Sequence, residues 1–250
     1  MTTISSPATS RVKVPEVTLA FWLVKVLTTG MGETASDYLA KTFPPAIAVA
    51  VSAVVLAAVL TVTIRLPRYR AWPYWTAVAL VSVFGTMAAD VLHVALGVPY
   101  AVSTVAFAVA VAGLLAVWYA VERTLDIHSV ATTRRELFYW ATVLATFALG
   151  TAAGDLTATT LHLGYLASGL LFAAAIAVPA FAHRFLRLDA VLAFWIAYVL
   201  TRPLGASFAD WIAVPPARGG LDLGTGPITL VLLAAIIAAV AVLARRERAA

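Results

Sequence analysis

Residues 25–37 read KVLTTGMGETASD, and three later stretches repeat its ending: FGTMAAD at 84–90, LGTAAGD at 149–155 and LGASFAD at 204–210. Each closes on an Asp with a Gly five residues before it: Gly32 and Asp37, Gly85 and Asp90, Gly150 and Asp155, Gly205 and Asp210. Fifteen residues before each Asp stands the Trp of an aromatic pair: Phe21-Trp22, Tyr74-Trp75, Tyr139-Trp140 and Phe194-Trp195. A shared W-x9-G-x4-D in four places marks an internal duplication. The Trp positions lie 53, 65 and 55 residues apart, room for two membrane-length helices per unit.

Composition says what surrounds those helices. Of 250 residues, 62% are hydrophobic and 12% charged, and the mean hydropathy is +0.95. A soluble domain carries about 45–50% apolar and about 25% charged residues, so this chain has too little polar surface for water and lipid is the expected solvent. Apolar runs approach the ~20 residues that span a bilayer as helix, and the alternation of a transmembrane β-strand is missing. Eight runs stand out: 17–38, 45–64, 72–93, 100–121, 137–157, 163–183, 190–212 and 227–244. The expected fold is an all-α integral membrane protein. One transmembrane domain, 1–250, holds four parallel tandem helical-hairpin repeats (about 15–65, 71–122, 136–184 and 190–245) around an axis along the membrane normal.

The net charge of +5 is read as membrane topology rather than nucleic-acid binding. Thirteen of the 17 basic residues fall on one side: Arg11 and Lys13, Arg65, Arg68 and Arg70, Arg123, Arg134 and Arg135, Arg184 and Arg187, and Arg245, Arg246 and Arg248. Only Lys41 and Arg218 fall opposite, so both termini are expected in the cytoplasm. Cysteine is absent, which excludes disulfides and thiolate chemistry. No phosphate-binding glycine loop, HExxH or Ser/His/Asp arrangement is present, so no enzymatic activity is expected.

Even-numbered spans carry no charge in their apolar cores, whereas odd spans carry Lys25, Glu33, Asp37, Asp90, Asp155, Arg202 and Asp210. A charge facing lipid costs about 2.5–3.5 kcal/mol on insertion scales, so the odd helices are expected inside. Fifteen helical residues rise about 22 Å, which puts the aromatic pairs at one interface and the four Asp near the other. Four such carboxylates around an axis, with Glu33 one turn below Asp37, form a candidate site for a divalent cation (Mn²⁺, Mg²⁺ or Ca²⁺) or a proton relay. Thr29, Thr86, Thr151 and Ser207 stand near enough in sequence to add hydroxyl oxygens, and backbone opened at the glycines would add carbonyls. The competing reading is that each Asp ends its helix at the interface.

Lys25 either pairs across the bundle or snorkels to the cytoplasmic surface. Arg202 is either a counter-charge to Glu33 or Asp37 or half of a structural salt bridge, and Pro203 beside it is expected to interrupt the helix. The glycines serve close helix packing or a functional break. His93 and His162 are expected in solvated positions near loops, with an accessory metal or proton role as the alternative.

The first stretch fits K-x-x-T-T-x-x-G-E-x-x-x-D through Lys25, Thr28, Thr29, Gly32, Glu33 and Asp37. In this the chain resembles a bacterial family of uncharacterised multi-span membrane proteins built from a repeated hairpin of unknown function. The resemblance covers nearly the whole chain and implies the bacterial inner membrane, but no biochemical activity. Repeats two to four lack the Lys and the Glu. The residues themselves point to a cation transporter for a divalent metal such as manganese, with proton coupling, no resident cofactor, and lipid and the transported cation as partners. Oligomerisation is compatible with the sequence. The alternatives are a proton-coupled exporter of a small organic molecule, which requires a large central cavity, and a non-transporting sensor or scaffold, with the acids sealed in salt bridges.

Overall fold

The computed structural model describes residues 12–249, apart from the side chains of Val94 and Ala95; Arg11 lies outside this range. Among the described residues all regular structure is helical. The eight long helices are α1 (Leu19–Thr42), α2 (Pro45–Arg65), α3 (Ala71–Asp90), α4 (Tyr100–Glu122), α5 (Thr133–Asp155), α6 (Gly164–Phe185), α7 (Ala190–Ala213) and α8 (Thr225–Ala249). Their starts follow local chemistry. Thr18, Thr132 and Asp189 cap α1, α5 and α7 by accepting from the amides of Phe21, Arg135 and Leu192. Pro45, which has no amide hydrogen to lose, opens α2.

Seven of the eight, α2 to α8, are long and apolar enough to cross a membrane. α1 is not among them, because Lys25, Glu33, Asp37 and Lys41 dilute its apolar content. Half of its residues are buried, including Lys25 and every residue from Thr28 to Ser36, Glu33 among them, whereas Asp37 and Lys41 lie beyond the buried stretch. α3, α5 and α7 likewise bury about half of their residues. α2, α4 and α8 bury only three residues each and expose apolar faces, such as Val51, Val54, Val55 and Val62 on α2. The odd helices are therefore the core.

α1 packs on α3, α3 on α5, α5 on α7 and α7 back on α1. The aromatic pairs record this closure. The first ring of each pair meets the Trp of the next: Phe21–Trp75 at 5.7 Å, Tyr74–Trp140 at 5.5 Å, Tyr139–Trp195 at 6.4 Å and Phe194–Trp22 at 5.7 Å between centroids. The glycines record it again, in the same order. A Cβ on Gly32 would overlap Ser82, one on Gly85 would sit 2.8 Å from Phe147 Cβ, one on Gly150 would overlap Arg202, and one on Gly205 would overlap Thr29. Those four neighbours each stand eight residues before an Asp. Each repeat thus presents a side chain to the glycine notch of the repeat before it. All four glycines lie inside continuous α-helix, so of the two readings they serve close helix packing, and the alternative, a backbone opened at these positions, is absent.

The outer helices pack in an order the sequence does not announce. Each even helix lies chiefly on the odd helix that follows it: α2 on α3, α4 on α5, α6 on α7, and α8 on α1. α7 also departs from expectation at Pro203, because it stays helical from Ala190 to Ala213. The proline ring has room beside Gly150 and Gly154 of α5. The same stretch of α7 is tied to α1, where Thr29 Oγ1 donates to the Thr201 carbonyl at 3.2 Å.

At the end holding the aromatic pairs, the connections are tied together. Tyr69 N donates to Val12 O, Lys13 N to Val130 O, and Arg70 pairs with Glu247 at 2.9 Å. The segments carrying most of the basic residues therefore share one end of the bundle.

Candidate functional site

Going up the bundle from the aromatic end, polar groups appear in tiers. Tyr74 and Tyr139 hydrogen-bond through their hydroxyls inside the aromatic layer. Above them Lys25 is buried, so it does not snorkel. Its Nζ has no hydrogen-bond partner among the described residues; it lies 3.9 Å from the centre of the Phe147 ring and 4.2 Å from that of Tyr198. The ammonium is held by two π-faces, an interaction worth about 2 kcal/mol when desolvated.

Arg202 forms the next tier and is completely buried. Its Nη2 donates to Glu33 Oε2 at 2.6 Å, to Thr151 Oγ1 at 2.9 Å and to Thr86 Oγ1, while Nη1 reaches the Thr29 carbonyl at 3.4 Å. Glu33, Thr86 and Thr151 each stand four residues before their repeat's Asp. One oxygen-bearing side chain from each of the first three repeats therefore converges on the guanidinium of the fourth. The corresponding residue of the fourth repeat is Ala206. Of the two partners considered for Arg202, the structure pairs it with Glu33.

The Asp tier is not uniform. Asp90 and Asp155 each close an α-helix that continues as a π-helical turn, Val91–Ala95 and Leu156–Thr160; such turns are rare and occur disproportionately at functional positions. α1 and α7 carry no such turn among the described residues. Asp90, Asp155 and His93 each offer a ligand atom, all within 4.8 Å of one another. Asp210 is buried. Asp37 is part-exposed and pairs with Lys41 at 2.8 Å, one turn along α1. Thus the structure brings together Asp90 and Asp155, sets Glu33 against Arg202, and turns Asp37 to its own helix.

His93 overturns the expectation of a solvated side chain. It is buried, its Nε2 lies 2.6 Å from Ser103 Oγ, its ring packs 4.2 Å from that of Tyr100, and its Nδ1 has no partner among the described residues. The signal in the sequence was its spacing: three residues after Asp90 puts it one turn on. His162 is exposed, as expected, on a left-handed backbone. Among the other hydroxyl candidates, Thr29 Oγ1 is engaged with the carbonyls of Val26 and Thr201, and Ser207 Oγ is buried without a partner among the described residues.

Two carboxylates and an imidazole can hold a divalent transition metal. Oxygen ligands suit Mg²⁺, Ca²⁺ and Mn²⁺, while an imidazole suits transition metals such as Fe²⁺ and Zn²⁺. A cavity of about 740 Å³ lies at the flank of the bundle, between α1, α6 and α7, lined by Trp22, Ile176, Phe194 and Leu204. It is lateral, unlike the central cavity that the exporter alternative requires.

The fold and composition define a helical protein made of internal repeats, seven of whose helices can cross a membrane. A family model described as Repeat of Unknown Function (DUF347) matches residues 20–69, 73–124, 138–188 and 193–249, and the chain belongs to that family. Neither a curated protein nor a solved structure matches the chain.

Proposed function

We propose that this protein is a multi-pass membrane transporter for a divalent cation such as Mn²⁺. In this reading eight helices span the bacterial inner membrane, α1 among them because Lys25 and Glu33 are buried in the bundle and Asp37 and Lys41 pair with each other at its outer end. The four hairpin repeats run parallel around an axis along the membrane normal, with the basic end in the cytoplasm. The observation that carries the reading is the meeting of Asp90, His93 and Asp155 within 4.8 Å at the end away from the aromatic layer. A buried imidazole beside two intramembrane carboxylates is expensive in lipid and marks an ion site.

Asp210 is a further carboxyl group buried at that end, and rings of acidic side chains select cations. Below it, Arg202 occupies the oxygen-lined position on the path inward, as a tethered cation that an entering ion must displace from Glu33. Lys25 and the aromatic layer close the path beneath. Protons are the natural counter-ions, because carboxylates that release a metal in a low-dielectric site take up protons.

The test is uptake of Mn²⁺ into proteoliposomes containing the purified chain. Wild type is expected to accumulate Mn²⁺ above empty liposomes, with Asp90→Asn and Asp155→Asn reduced to the level of the empty liposomes. Uptake by both variants at the wild-type rate contradicts the site. A second reading, a non-transporting membrane scaffold, is favoured by the Glu33–Arg202 and Asp37–Lys41 pairs; it requires that wild type accumulate nothing.

A further inference from the structure

The basic end of the bundle carries a site that cation transport leaves unused. Between the end of α2, the α2–α3 connection and the start of α5 lies a cavity of about 910 Å³, lined by Lys13, Arg65, Arg68, Arg70, Thr132 and Thr133. Two of its four cations are committed. Lys13 Nζ contacts Glu136 at 2.6 Å and donates to the Ile64 carbonyl at 2.8 Å, while Arg70 Nη1 holds Glu247 at 2.9 Å. Arg65 and Arg68 are exposed and have no ion-pair partner among the described residues. Residues 1–11, the stretch just before Lys13, contain no Asp or Glu that could neutralise them.

The cavity therefore has an excess of two guanidinium groups. The positive end of the α5 dipole adds to it, since Thr132 is that helix's N-cap. Guanidinium forks match phosphate oxygens in pairs, which makes phosphate the anion that fits best. The location narrows the source. Arg65 is the last residue of α2, and the outer face of α2 leading to it exposes Val51, Val54, Val55 and Val62. Acyl chains lying along that face would deliver a headgroup to the cavity.

We propose that this cavity is a binding site for the phosphate of an anionic lipid headgroup, held by Arg65 and Arg68 with Lys13 at its back wall. The site rests on the placement of the basic end at the membrane surface and is independent of what the Asp tier binds. It is tested on the full chain in detergent by titrating phosphatidylglycerol, phosphatidylcholine or inorganic phosphate while following the melting temperature. Phosphatidylglycerol is expected to stabilise wild type where phosphatidylcholine does not. The Arg65→Gln/Arg68→Gln variant, with both changes on exposed side chains, should lose apparent affinity by on the order of tenfold or more. Stabilisation by inorganic phosphate alone, lost in the same variant, upholds the phosphate chemistry and assigns it to a soluble ligand. Equal stabilisation of variant and wild type by phosphatidylglycerol overturns the proposal, as does the absence of any response to either phosphate probe.

Discussion

Arg202 is buried at the centre of the bundle, and three side chains from three other helices are arranged around its Nη2. Removing one partner of a buried ion pair costs about 3–5 kcal/mol, because the other charge is left uncompensated. Arg202→Gln is therefore expected to destabilise the protein by about that amount, as read from unfolding in mixed detergent. Glu33→Gln in the same background should restore much of the loss. A double variant as unstable as the sum of the two single ones would show that Arg202 and Glu33 are not coupled. The pairing itself was one of the two readings the sequence offered. The roles of Thr86 and Thr151 were not legible. They stand near an Asp in sequence, yet they face Arg202, which starts one helical turn lower in its own repeat. Which tier a side chain reaches depends on how far it extends along the axis, and spacing alone does not fix that.

At the scale of a helix, the glycines explain why the odd helices can close into a ring. Gly150 admits Arg202 and Pro203 so closely that a Cβ would overlap the Arg202 side chain, whereas a Cβ on Gly154, one turn on, would meet Pro203 no nearer than 3.8 Å. Gly150→Ala should thus cost about 1–3 kcal/mol through overpacking, and Gly154→Ala should lie within about 0.5 kcal/mol of wild type. Melting temperatures of the two variants decide this, and equal values would contradict the close contact. The W-x9-G-x4-D repeat made the odd helices, their common direction in sequence and their burial legible. The partners of the even helices were not, because a lipid-facing helix is apolar on all sides and has no stripe to show which neighbour it covers. The π-helical turns after Asp90 and Asp155 were also hidden, since nothing in VLHVA or LTATT distinguishes them from ordinary helix ends.

For the molecule as a whole, charge is sorted along the bundle. One end holds the basic connections and the cavity lined by Arg65 and Arg68, and the other holds the Asp tier, with Lys25 and Arg202 sealed between them. The fourfold order visible in the aromatic and glycine contacts breaks at the acidic end, where Asp90 and Asp155 share His93 and Asp37 turns to Lys41. In the proposed metal site that asymmetry would supply a nitrogen ligand, which a ring of carboxylates alone would lack, and its presence can be detected directly. Electron spin-echo modulation of Mn²⁺ bound to the purified protein is predicted to show a directly coordinated ¹⁴N that disappears in His93→Ala. Bound Mn²⁺ without nitrogen modulation in wild type, or modulation that survives loss of His93, would contradict the account.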